Sequence, residues 1–144
     1  MRVAFVGKGG AGKSSLAGTF ARILTATEHH VLALDSDPMP GLAYSLGLPS
    51  VDTGLPDEAV EEDDVEGRRF RLAGGRSGTE IVEQHAIRAA DGVYFLQLGK
   101  ARGPSWENTR QHFGYQRVLD DLPQVGWSIV GDLPGGTRQP FMTW

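Results

Sequence analysis

The run Gly-Lys-Gly-Gly-Ala-Gly-Lys-Ser-Ser, residues 7–15, constrains this chain more than any other stretch. Glycine loses more conformational freedom on ordering than any other residue and weakens helix and strand alike, so the run reads as a loop. Its flanks have the opposite character. Arg2-Val3-Ala4-Phe5-Val6 before it has the apolar content of a buried strand, and Leu16-Ala17-Gly18-Thr19-Phe20-Ala21-Arg22-Ile23-Leu24 after it spaces apolar residues as a helix does. Gly7, Gly12, Lys13 and Ser14 fit Gly-x-x-x-x-Gly-Lys-Ser/Thr without a gap. A strand, a glycine loop and a helix in that order make a phosphate cradle: successive N–H groups curl toward the phosphate oxygens, and the helix adds its positive end. The N–H groups of Gly9, Gly10, Ala11, Gly12, Lys13, Ser14 and Ser15 are the expected cradle. Lys13 reaches the β- and γ-phosphates, and the Ser14 hydroxyl ligates Mg²⁺.

The rest of the chain repeats the strand–helix alternation. Strands are expected at Val3–Val6, Val31–Leu34, Val93–Leu98 and Trp127–Val130. Helices are expected from Ser14 to about Thr25, near Thr79–Ala89, and from Asn108 to about Leu122. Such alternation predicts an α/β fold, a parallel sheet with helices on both faces joined by right-handed crossovers. Residues 49–80 differ: seven acids fall in the ten positions Asp57–Glu66, followed by Arg68-Arg69-Phe70-Arg71-Leu72, which reads as a short edge strand. This stretch is expected to be an acidic surface insertion in a single domain of 144 residues.

Composition removes several function classes. The net charge is −4, and no basic stripe suggests nucleic acid or an anionic membrane surface. The chain has no cysteine, which excludes disulfides and thiolate metal sites. No apolar stretch approaches the length of a membrane span, and the N-terminus opens directly into a strand, so a cytoplasmic location is the expectation.

Lys8 does not belong to the ordinary phosphate loop. Lys-Gly-Gly-x-Gly-Lys-Ser/Thr is the deviant Walker A signature, and here the sequence resembles the ParA/MinD/nitrogenase-iron-protein family of P-loop ATPases. The likeness is greatest to members akin to the maturation ATPase for carbon monoxide dehydrogenase, and it runs nearly unbroken from Met1 to about Leu48. The resemblance implies a homodimer formed around ATP, in which Lys8 crosses the interface to the partner's phosphates while Lys13 serves its own. Val31-Leu32-Ala33-Leu34-Asp35-Ser36-Asp37-Pro38 matches the family's Asp-x-Asp-Pro, followed by a leucine-containing helix and Leu-Gly. By resemblance, Asp37 is the switch I carboxylate that orients the attacking water and helps hold the Mg²⁺ shell, with Asp35 supporting it. Trp127-Ser128-Ile129-Val130-Gly131-Asp132-Leu133-Pro134-Gly135-Gly136 looks like Walker B running into switch II. Asp132 then binds Mg²⁺ through water, and Gly135 or Gly136 places an N–H near the γ-phosphate. Ser128 stands where the nitrogenase iron protein has a further aspartate, which leaves the Walker B role open at this stage.

The chain departs from the family in two respects. It lacks the metal-binding cysteines of the carbon monoxide dehydrogenase and nitrogenase relatives, and adjacent His29 and His30 read as solvated turn residues rather than replacements. It also stops just past switch II, so a truncated family domain is expected, lacking its C-terminal strands and the adenine-recognition segment, with Val3–Val6 left at a sheet edge. Lys100, Arg102 and Trp106 after the third strand, and Arg138 and Gln139 after switch II, are candidate partner-facing residues. The expected function is Mg²⁺-dependent binding and slow hydrolysis of ATP by a dimeric switch that acts on a protein client. The alternative is a nucleotide-binding regulatory module without turnover, or a fragment.

Overall fold

The computed structural model describes residues 1–27, 30–37, 41–51, 54–63, 70–98, 105–135 and 144, with backbone alone at 105–108. Strand β1 (Arg2–Phe5) enters the glycine loop, and helix α1 (Lys13–Thr27) leaves it. β2 (Val31–Asp35) and the short helix α2 (Leu42–Ser45) follow, then β3 (Val60–Glu62), β4 (Phe70–Leu72), α3 (Gly78–His85), β5 (Ile87–Arg88), β6 (Tyr94–Gln97), α4 (Ser105–Asp121) and β7 (Ser128–Asp132). The main sheet runs β1-β7-β2-β6-β5, and its first four strands are parallel. β1 lies at the sheet edge, as expected, beside the strand that ends in Asp132.

Period-two alternation divides the core between two faces. Val31, Ala33, Phe95 and Val130 point toward Ala17 and Ala21 of α1 and Leu42 and Ala43 of α2. Leu32, Leu34, Leu96 and Ile129 point the other way, toward Ile81 and Val82 of α3 and Tyr115, Val118 and Leu119 of α4. Helices on both faces explain why β2 and β7 carry consecutive rather than alternating apolar residues: every residue of each strand is buried. Gly18 of α1 allows α2 to approach closely, since a Cβ there would lie 2.7 Å from the Ser45 Cβ.

Two expectations change. The helix near 79–89 is shorter, because Ser77 and Glu80 form a capping box that starts it at Gly78, and it ends at His85. Ile87–Arg88 is instead a strand antiparallel to β6, joined to it by a tight turn in which Gly92 takes φ 86°. Phe70–Leu72 is a strand, but it pairs with β3 in a separate two-stranded ribbon and not with the main sheet. The ribbon is anchored inward: Leu55, Ala59, Val60 and Leu72 join the core beneath α4, while Asp57 and Glu58 stay exposed. Tyr115 ties this region to the sheet, its buried hydroxyl accepting the Leu55 N–H at 2.8 Å and donating to the Gln97 carbonyl. Residues 64–69 of the acidic stretch, and Lys100, Arg102, Arg138 and Gln139, lie outside the described residues, as does the side chain of Trp106.

Candidate nucleotide site

The glycine loop has the backbone that its composition requires. Gly10 and Gly12 both sit at φ 79°, in the left-handed region that side-chain-bearing residues avoid. The Ala11 N–H donates to the Lys8 carbonyl at 3.2 Å, closing a turn, and the Leu16 N–H to the Gly12 carbonyl at 3.0 Å, which begins α1. The N-terminus of α1 and the C-terminal ends of β7 and β2 therefore meet at one place.

Three of the expected polar residues converge there with Lys13. Ser14 Oγ donates to Asp132 Oδ2 at 2.5 Å. Lys13 Nζ lies 3.9 Å from Asp37 Oδ2, with both side chains largely shielded. Asp132 is fully buried, and its second oxygen, Oδ1, has no hydrogen-bond partner. Burial pushes the Asp132 carboxyl above the usual range; the Ser14 hydroxyl and the Lys13 charge oppose that rise, and the Asp37 charge reinforces it. Ser128, the other Walker B candidate, sits at the start of β7, four residues back, paired with Val31 at the far end of the sheet. Asp132 is thus the β7 carboxylate that faces the loop.

Asp35 works on backbone rather than on ligand. Its Oδ1 accepts the Asp37 N–H at 3.0 Å, and its Oδ2 accepts those of Gly41 and Leu42, each at 3.1 Å. One buried carboxylate thereby holds the backbone at Asp37 and again at Gly41 and Leu42, where it caps the entry to α2. Burial pushes its carboxyl up to about 6, against the lowering effect of these three N–H groups and with the Asp132 charge adding to the rise. Gln97, buried at the end of β6, completes a row across the sheet, since Asp35 is in register with both Asp132 and Gln97.

Two glycines bring the flanking segments onto the loop. A Cβ at Gly41 would meet Ser14 Oγ at 2.6 Å, so only glycine permits this approach with Ser14 in place. A Cβ at Gly135 would lie 2.9 Å from the Gly7 carbonyl carbon and 3.3 Å from the Lys8 Cα, so the segment after Asp132 rests directly on the loop backbone. Gly136 lies outside the described residues. Lys8 is exposed beside Gly9 and Gly10. His30 is exposed but stacks on Trp127 at 4.8 Å, at the opposite end of the sheet, and His29 lies outside the described residues. Sequence reasoning missed the Gly41 contact; its signal was a glycine four residues after Asp37, at the entry to a helix.

The donor set fits Mg²⁺. That ion takes oxygen ligands, keeps several waters and is bound through one or two carboxylates together with substrate phosphates. The unpartnered Asp132 Oδ1 and the remaining lone pairs of the Ser14 oxygen offer such ligands beside a phosphate cradle. Among the described residues no group of three or more His, Cys, Asp or Glu is arranged to hold a metal alone. No described helix is long and apolar enough to cross a membrane.

The profile of the CbiA family, the CobQ/CobB/MinD/ParA nucleotide-binding domain, matches residues 3–126. The carbon monoxide dehydrogenase accessory protein CooC of Rhodospirillum rubrum is 34% identical over an alignment of 109 residues that covers 69% of this chain and 40% of that protein. The uncharacterized ATP-binding protein MJ0823 of Methanocaldococcus jannaschii is 40% identical over 48 residues, 33% of this chain and 19% of that protein. The chain thus spans about two fifths of the length of the first of these relatives and about a fifth of the second.

Proposed function

Because this chain belongs to the CobQ/CobB/MinD/ParA nucleotide-binding domain family, we propose that it binds ATP with Mg²⁺, hydrolyses it slowly and acts as a dimeric switch on a protein client. The observation that carries this reading is the convergence of Lys13, Ser14, Asp37 and the half-satisfied Asp132 on a glycine loop at the C-terminal edge of a parallel sheet. Ligands of open α/β sheets collect at that edge.

In this reading the loop N–H groups and the end of α1 bind the phosphates, and Lys13 moves from Asp37 to the β- and γ-oxygens. Asp37, released from that ion pair and held by Asp35, orients a water in line with the γ-phosphorus. Ser14 and Asp132 would hold Mg²⁺, which would supply charge neutralisation for the phosphates. Gly135, already resting on the loop, places its N–H near the terminal phosphate and carries its presence into switch II. Lys8 is exposed and free to reach a second copy's nucleotide, where a cation delivered only on closure stabilises the charge of phosphoryl transfer, as an arginine finger does. The relative's name, an accessory protein of carbon monoxide dehydrogenase, supports a metalloenzyme as client.

Two variants test the reading. Lys13→Ala should lose ATP binding. Lys8→Ala should bind ATP but lose both hydrolysis and ATP-dependent dimerisation, followed by phosphate release and light scattering. Unchanged turnover in Lys8→Ala would remove the trans-acting lysine from the mechanism.

A further inference from the structure

The parallel strands end in one continuous line of backbone hydrogen bonds. The Leu98 N–H donates to the Asp35 carbonyl at 2.7 Å, the Ser36 N–H to the Asp132 carbonyl at 3.0 Å, and the Leu133 N–H to the Phe5 carbonyl at 3.0 Å. Each step crosses to the neighbouring strand, from β6 through β2 and β7 to β1. This last rung lies directly beneath the candidate site. From it the chain runs at Phe5 into the glycine loop, at Ser36 into Asp37 and at Leu133 toward Gly135. Its three N–H donors belong to two leucines and a serine, so only residue 36 can add a side-chain donor to the rung. It does: Ser36 Oγ donates to the same Asp132 carbonyl at 3.2 Å.

The fold does not need this second bond. The Ser36 N–H already pairs the carbonyl, β2 and β7 are in register from Val31 to Asp35, and the half-buried hydroxyl has water within reach. Two donors from one residue on one acceptor restrict how residue 36 can turn about the rung, and Asp37 is the next residue. The Asp37 N–H is itself held by Asp35 Oδ1 at 3.0 Å. The backbone on the N-terminal side of Asp37 is thus pinned twice, once to the strand that carries Asp132. We propose that Ser36 is a positioning residue for hydrolysis: its hydroxyl fixes the Asp37 backbone relative to Asp132 without touching the nucleotide. The inference rests on the hydrolytic reading above. In that reading Lys13 leaves its ion pair with Asp37 for the phosphates, so the carboxylate loses that tether at the moment it must orient water. Phosphate binding stays with the loop N–H groups and Lys13. Loss of the hydroxyl therefore acts on the chemical step, where small misplacements of an orienting group are costly, and not on affinity.

The test uses the full chain with Mg²⁺: kcat and KM from steady-state phosphate release, affinity for the slowly hydrolysed analogue adenosine 5′-(γ-thio)triphosphate from calorimetry, and the thermal midpoint of each variant. Ser36→Ala should lower kcat roughly two- to tenfold, the worth of one hydrogen bond expressed as a rate. Its affinity for the analogue should stay within about twofold of wild type. Ser36→Thr, which keeps the donor, should restore kcat to within about twofold. Wild-type kcat in Ser36→Ala overturns the proposal. So does a loss of kcat matched by an equal loss of analogue affinity and a lowered thermal midpoint, the pattern of a merely structural hydroxyl. A Thr variant as slow as the Ala variant overturns it equally. Should Ser36→Ala not fold, Ser36→Cys, similar in shape and a far weaker donor, should show the same loss of kcat, and an unchanged kcat there refutes the proposal. A wild-type chain that releases no phosphate overturns the hydrolytic reading and the proposal with it, a result distinct from any difference among the variants.

Discussion

Raising the pH should destabilise the nucleotide-free protein through Asp35, and the size of the effect follows from its surroundings. Its carboxyl is raised from 3.8 to about 6, chiefly by burial, with the Asp132 charge adding to the rise. The folded state therefore holds a proton that the unfolded chain has released, and that contribution is fully present below pH 3.8 and lost as the pH climbs through 6. At 1.36 kcal/mol per pH unit, the displacement corresponds to about 3 kcal/mol. Asp132, raised in the same direction, adds to the loss. Other groups act with the opposite sign: His85 and His112 are both lowered, mainly by burial, so their contribution is present at neutral pH and lost on acidification. A wild-type pH profile alone would mix these effects. The assay is urea unfolding of wild type and Asp35→Asn from pH 4 to pH 7.5, without Mg²⁺ or nucleotide. The variant cannot titrate at 35, so the stability difference between the two proteins isolates that carboxyl. It should move by about 2.4 kcal/mol in favour of the variant between pH 4 and pH 7.5, most of the full displacement. A difference that stays flat, or moves the other way, would refute the claim that this carboxylate is held charged at a cost.

Other perturbations probe separate contacts. Gly41→Ala forces a methyl against Ser14 Oγ; the overpacking should cost about 1–3 kcal/mol in urea unfolding and weaken Mg²⁺-dependent nucleotide affinity by disturbing the Ser14–Asp132 hydrogen bond. Tyr115→Phe leaves the buried Leu55 N–H and Gln97 carbonyl without their shared hydroxyl, which should cost about 1–3 kcal/mol in the same assay while nucleotide affinity stays near wild type. Gly114→Ala places a methyl 2.6 Å from the Val60 Cγ2 and should lower the thermal midpoint by loosening the β3–β4 ribbon from α4.

The parallel sheet was legible because its physics is local. The strand–glycine–lysine–helix order admits few arrangements, and buried parallel strands advertise themselves as continuous apolar runs. Asp132 at the end of β7 and Asp37 beyond β2 were found the same way, as acids at the ends of apolar runs. The features the sequence hid depend on meetings between distant segments. The β5–β6 hairpin carried its own signal in Asp91-Gly92, a favoured tight-turn pair, but the two residues of β5 give too little periodicity to compete with the helix before them. The acidic run at 57–66 masked the few apolar residues, Ala59 and Val60, that anchor the ribbon inward. Gly41 against Ser14 leaves no spacing pattern at all, because a glycine required by a distant neighbour looks like any other glycine.

The most direct test of the account is calorimetric titration of ATP into the chain in Mg²⁺ and again in EDTA. The account predicts saturable binding at one site per chain, clearly tighter with Mg²⁺, because the proposed ligands of the ion are the unpartnered Asp132 oxygen and Ser14 beside the phosphate cradle. Binding absent in Mg²⁺, or equally tight in EDTA, would contradict it.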